Sequence, residues 1–176
     1  MAEFLALSLP SILYLIVRRR DPLARRILGL TWPGLRGWLL GLLVAVIGLG
    51  IGWLATRGVP ADLLYGPGTS GQITDLLAGV VVALRALGEE VFFRGVVQGI
   101  VARRWGVTAG IIVQGVAFLV PHLLLLTISP ALTPLVAGQF VIGLLLGWLR
   151  HHTGSVAPGV LAHVVTNVAA GLRLSL

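Results

Sequence analysis

The sequence has no cysteine, which excludes disulfides, thiolate metal sites and cysteine nucleophiles and leaves no trace of a redox compartment. It has no lysine either: all 13 basic residues are arginine, against six acidic ones. Charge of any sign is scarce, at 11% of the 176 residues, where soluble domains carry about 25%. So few charges cannot cover a water-exposed surface, so an ordinary soluble domain is excluded and lipid must cover part of the chain. The net charge of +7 could suggest nucleic acid, but no basic patch is interleaved with aromatics. The arginines instead cluster at the ends of apolar runs, as Arg18, Arg19, Arg20, Arg25 and Arg26 do. That is the pattern of anchors beside anionic headgroups, and no nucleic-acid partner is expected.

What is present is mostly apolar, 57% of the chain. Six apolar segments follow one another: 4–17, 37–56, 73–102, 107–129, 131–149 and 156–172. The last five approach the ~20 residues needed to cross hydrocarbon. Segment 73–102 exceeds one span and is expected to tilt or bend. Breakers separate the runs: Pro60, Gly66-Pro67-Gly68, Gly106, Pro130, Pro134, Gly154 and Pro158. None alternates in polarity as a barrel strand would. The expected fold is therefore all-α, a polytopic transmembrane bundle of about six helices in one membrane domain, 1–176. Helices within 1–72 carry no motif, and the catalytic helix core is expected in 73–172.

The first segment is not patterned as a signal peptide, because Glu3 precedes it and three arginines follow. It reads as a retained helix with its N-terminus outside; a helix lying on the membrane surface is the alternative. Alternating the crossings from there puts nine arginines in the cytoplasm (Arg18, Arg19, Arg20, Arg25, Arg26, Arg36, Arg103, Arg104, Arg150). Only Arg57 and Arg173 fall outside, a strong positive-inside bias. Glycines at four-residue spacing (Gly37/Gly41, Gly48/Gly52, Gly95/Gly99, Gly106/Gly110, Gly143/Gly147) favour close helix packing.

The third segment holds four ionisable residues that lipid should reject: Arg85, Glu89, Glu90 and Arg94. Arg85/Glu89 and Glu90/Arg94 are i,i+4 pairs, which meet on a helix surface. The two glutamates lie ~100° apart around the axis, so one can be ion-paired while the other faces a cavity. A neutralised cluster that only holds the bundle together is one reading. Two adjacent carboxylates exceed what packing needs, however, and supply a candidate general base. His122 in the fourth segment shares a face with Phe118, and His163/Asn167 form another i,i+4 pair in the sixth. His151 and His152 sit at a helix end beside Gly154, where they can satisfy terminal carbonyls. Gln98, Gln114 and Gln139 are candidates for helix–helix hydrogen bonds.

These residues resemble a known family. The run Glu89 to Gly95 (EEVFFRG) is similar to the EExxxR motif of the CPBP intramembrane proteases, the type II CAAX prenyl endopeptidases and their bacterial Abi relatives. Phe118 to His122 (FLVPH) matches the FxxxH motif, and His163 to Asn167 (HVVTN) matches HxxxN, in the family's order. The resemblance implies hydrolysis of a peptide bond in a membrane-embedded pocket, in a multi-pass protein of a prokaryotic plasma membrane. Glu89 would activate water with His122 helping to hold it, Arg94 would pair with Glu90, and His163 and Asn167 would stabilise the oxyanion. The substrate implied is a peptide or lipid-modified protein in the bilayer. A zinc-dependent version would use Glu89, His122 and His163 as ligands; the metal-free version needs no cofactor. Non-catalytic binding, as in bacteriocin immunity, and a small proton carrier are the rival readings.

Overall fold

The computed structural model describes residues 2–64 and 72–173; the Gly66-Pro67-Gly68 breaker lies outside the described residues. Each apolar segment is helical, and no strand occurs among the described residues. A helix satisfies its backbone groups internally, as a lipid environment demands. The long helices are α1 (Ala2–Val17), α2 (Gly34–Thr56), α3 (residues 76–105), α4 (Val107–His122), α5 (Thr133–Thr153) and α6 (Ala157–Arg173). Short helical turns fill the connections at Ala24–Ile27, Ala61–Leu64, Leu125–Ile128 and Pro130–Leu132.

Local chemistry sets several of these ends. Asp75 caps α3 by accepting the Ala78 amide at 2.8 Å. Gly106 turns the chain from α3 into α4 with φ +89°, and Gly154 ends α5 with φ +67°, both positions that favour glycine. Pro121, which has no amide to donate, lies one residue before the end of α4, and the helix stops at His122.

Among the described residues, three stretches are long and apolar enough to cross a bilayer: Gly34–Thr56, Val107–Ile128 and Pro130–Thr153. α1 has 16 residues; at ~1.5 Å per residue it covers about 24 Å, less than the ~30 Å of a hydrocarbon core. It starts beside the middle of α3, with Phe4 against Gly88.

α2, α5, α4, α3 and α6 pack in that order around a closed ring, and α1 leans on α3 from outside. Successive helices run alternately up and down. One end of the bundle joins Ile27 to Gly99 and Arg150 to the carbonyls of Arg26 and Ile27. The opposite end joins Arg173 to Thr56 and Ile73 to Gly171. The arginines expected on one side of the membrane therefore do gather at one end, with Arg57 and Arg173 at the other.

Polarity runs opposite to that of a soluble protein. Leu39, Leu42 and Val46 of α2, and Val113, Val116 and Val120 of α4, face outward, while Glu90, Arg94, Gln98, Gln114 and His163 are buried. Apolar packing of Val44, Ala45, Leu146, Leu149 and Ala162 joins α2, α5 and α6 beside that polar interior.

Candidate active site

Segment 73–102, expected to tilt or bend, changes helix type along its length. α3 is α-helical over Leu76–Glu89, π-helical over Glu90–Val97 and α-helical again over Gln98–Trp105. A π-helix closes i→i+5 hydrogen bonds, is rare, and occurs frequently at functional sites. Here it starts between the two glutamates. Its buried residues are Glu90, Phe93, Arg94 and Gly95.

Glu90 and Arg94 are fully buried, and Arg94 Nη1 lies 2.8 Å from Glu90 Oε1. Arg94 also donates from Nη2 to the Gly143 carbonyl at 3.3 Å, and its guanidinium lies 4.4 Å from the Phe118 ring centroid. Glu89 takes the other ion pair, from Arg85 Nε at 3.0 Å. Arg85 is 52% exposed in its side chain, so this pair lies at the edge of the cluster whereas Glu90–Arg94 lies at its centre. The i,i+4 pairing read from the sequence holds for both.

The connection to α6 lies beyond what that spacing could reveal. His163 is buried between the two carboxylates, with Nδ1 2.9 Å from Glu90 Oε1 and Nε2 3.6 Å from Glu89 Oε2. With Glu90 ionised against Arg94, Nδ1 is the donor. The second separation is too long for a hydrogen bond. Glu89 Oε2 has no hydrogen-bond partner among the described residues. The glutamates thus diverge as expected, yet one imidazole touches both.

Small residues make the approach possible. A Cβ on Gly159 would stand 2.8 Å from Glu90 Oε2, and one on Gly147 would overlap Gln114. Gln114 donates to the Gly143 carbonyl at 2.9 Å and Gln98 to the Gly147 carbonyl at 2.7 Å. The Gly143/Gly147 spacing is therefore more than helix packing, because it opens the α5 backbone to polar side chains of α3 and α4. Of the other glycine pairs, Gly95/Gly99 receives the Ile27 and Leu28 carbonyls, while Gly52 and Gly106 meet nothing.

Phe118 is a hub that the motif spacing did not reveal. Its ring packs against Phe93, His122 and His163 at centroid separations of 5.3, 4.7 and 5.9 Å, in addition to Arg94. His122, half-buried, donates Nδ1 to the Phe118 carbonyl at 2.8 Å and lies within electrostatic reach of Glu89 and His163. No hydrogen bond joins His122 to Glu89 among the described residues. Asn167, one turn beyond His163, is half-buried and makes no side-chain hydrogen bond there. His152 donates to the Trp148 carbonyl at 3.0 Å at the exposed end of α5, apart from this cluster.

The cluster is tightly packed, with His163 only 3% exposed. Adjoining it is a small apolar notch whose wall includes Val44, Gly48, Leu146, Thr166 and His163. Among the described residues no three histidine or carboxylate side chains converge in a way that could hold a metal ion. Glu89, His122 and His163 therefore do not form a ready ligand set in this arrangement.

Residues 72–169 match the family model described as Type II CAAX prenyl endopeptidase Rce1-like. The match spans more than half of the chain and takes in Glu89, Glu90, Arg94, His122, His163 and Asn167. No curated protein and no solved structure gave a significant match.

Proposed function

Since the chain belongs to the Rce1-like family of type II CAAX prenyl endopeptidases, we propose that it is an intramembrane endopeptidase in which Glu89 activates the attacking water. The observation that carries this reading is the asymmetry of the two carboxylates around His163. Glu90 is neutralised by Arg94 and holds His163 Nδ1, whereas Glu89 keeps Oε2 unbonded beside His163 Nε2. A base needs a lone pair to receive a proton from water; Glu90 Oε2 is also unbonded, but Glu90 is fully buried, whereas Glu89 lies at the edge of the cluster. Glu90 and Arg94 act as the frame that fixes the imidazole.

Oxyanion stabilisation falls first to Asn167, whose amide donates without titrating. His163 adds a donor from Nε2 only when the ring carries a second proton, because Nδ1–H is committed to Glu90. His122, with Nδ1 committed to the Phe118 carbonyl, offers Nε2 as an acceptor and helps orient water. The substrate in this reading is a membrane-bound protein with a prenylated C-terminus, and the arginine-rich end of the bundle faces the cytoplasm.

The test is cleavage of a prenylated CAAX reporter peptide by the purified chain in proteoliposomes. General-base catalysis contributes about 10²–10⁴-fold, so Glu89→Gln should lower kcat by that factor with the fold intact. Full cleavage by Glu89→Gln would overturn the reading. A binding protein of the immunity type would keep its biological effect in this variant. Metal analysis of the active preparation addresses the zinc version: stoichiometric zinc, with activity lost to a chelator and restored by zinc, would replace the metal-free mechanism. Comparative proteomics of cells carrying wild type or Glu89→Gln would then name the natural substrate.

A further inference from the structure

The segment between α1 and α2 folds into a concave basic site at the arginine-rich end of the bundle. Arg18, Arg19, Arg25 and Asp21 line a cleft of about 420 Å³, open on one side, with Leu15 and Pro22 in its wall. That is within the usual size range of small-ligand sites. Five arginines and one aspartate fall between positions 18 and 26. Asp21 spends Oδ1 on the Leu23 amide at 2.9 Å and pairs with none of them. Among the described residues, the guanidinium groups of Arg18, Arg19 and Arg25 have neither a carboxylate partner nor a hydrogen bond.

The cleft is held rigidly. Ala24 and Leu28 are buried, Arg150 donates to the carbonyls of Arg26 and Ile27 at 3.0 and 3.1 Å, and the following turn rests on Gly95 and Gly99 of α3. Directly below it, α1 turns Leu9, Ile12, Leu13 and Ile16 outward. A cationic cleft above an exposed apolar stripe suits a ligand with an anionic head and hydrocarbon tails. A soluble phosphate would leave the stripe unused. We infer that Arg18, Arg19 and Arg25 bind the phosphate of one anionic glycerophospholipid whose acyl chains lie along α1. Juxtamembrane arginines attract such lipids in general; the preformed cleft makes this a discrete site.

The experiment uses the full chain in phosphatidylcholine nanodiscs with and without phosphatidylglycerol, read by native mass spectrometry and thermal unfolding. Wild type should retain one phosphatidylglycerol and melt higher in its presence. The triple variant Arg18→Gln/Arg19→Gln/Arg25→Gln should lose about tenfold or more in retention. The charge-matched control Arg36→Gln/Arg103→Gln/Arg104→Gln, altered at the same end, should stay within about twofold. Equal losses in both would mean a diffuse field and overturn the site. Complete displacement by inorganic phosphate or glycerol phosphate would overturn the lipid in favour of a soluble anion. Should the triple variant fail to fold, Arg25→Gln alone decides by the same measurement: unchanged retention sinks the proposal and reduced retention supports it.

Discussion

At the scale of single residues, Glu90 and Glu89 are neighbours with opposite obligations. Removing one member of a buried ion pair strands its partner, at a cost of about 3–5 kcal/mol. Glu90→Gln should therefore destabilise the bundle by about that amount, because Arg94 is fully buried and would be left with contacts such as the Gly143 carbonyl and the Phe118 ring. Unfolding in mixed micelles would measure it, and an unaltered midpoint would refute the structural role. Glu89→Gln should destabilise less, since Arg85 opposite it lies at the periphery, while lowering kcat by the about 10²–10⁴-fold expected for loss of a general base. The pairings themselves were legible in the sequence because helix geometry is local: residues four apart must meet. The choice His163 makes between the glutamates was not, because it depends on how α6 docks against α3. Gly159 was unreadable for the same reason, as its role is to leave room for an atom 69 positions earlier in the chain.

At the scale of elements, five of the six long helices were legible with modest boundary shifts, since apolar length and proline or glycine breaks are strong signals. The sixth, α3, could only be described as too long for one straight span. Its π segment carries no distinctive residue pattern, and it forms where Glu90 and Arg94 are held by contacts from other helices. Gln98 and Gln114 were correctly expected to bridge helices, but their partners are backbone carbonyls that only glycine exposes. Gly147→Ala should accordingly force Gln114 aside and part α5 from α4. Overpacking of this kind costs about 1–3 kcal/mol. A lowered thermal midpoint, with cleavage reduced in proportion to the loss of the Gln114–Gly143 contact, is the expected result; a wild-type midpoint would mean that α5 yields freely.

At the scale of the whole molecule, the absence of cysteine makes orientation directly measurable. Single cysteines introduced as Arg57→Cys and Arg104→Cys stand at opposite ends of the bundle. With Arg104 on the cytoplasmic side, an impermeant maleimide added to intact cells should label the cysteine at position 57 and spare the one at 104 until lysis. The reverse pattern would invert the assigned orientation. The closed ring also has a bearing on biogenesis. The carboxylates belong to α3, but the imidazole that joins them arrives with α6, 73 residues later. During membrane insertion the Glu90–Arg94 pair can neutralise itself within its own helix and wait in lipid without its partner. His163 and Asn167 join only when the ring closes, so under the proposed mechanism the nascent chain would stay catalytically silent until its assembly is finished.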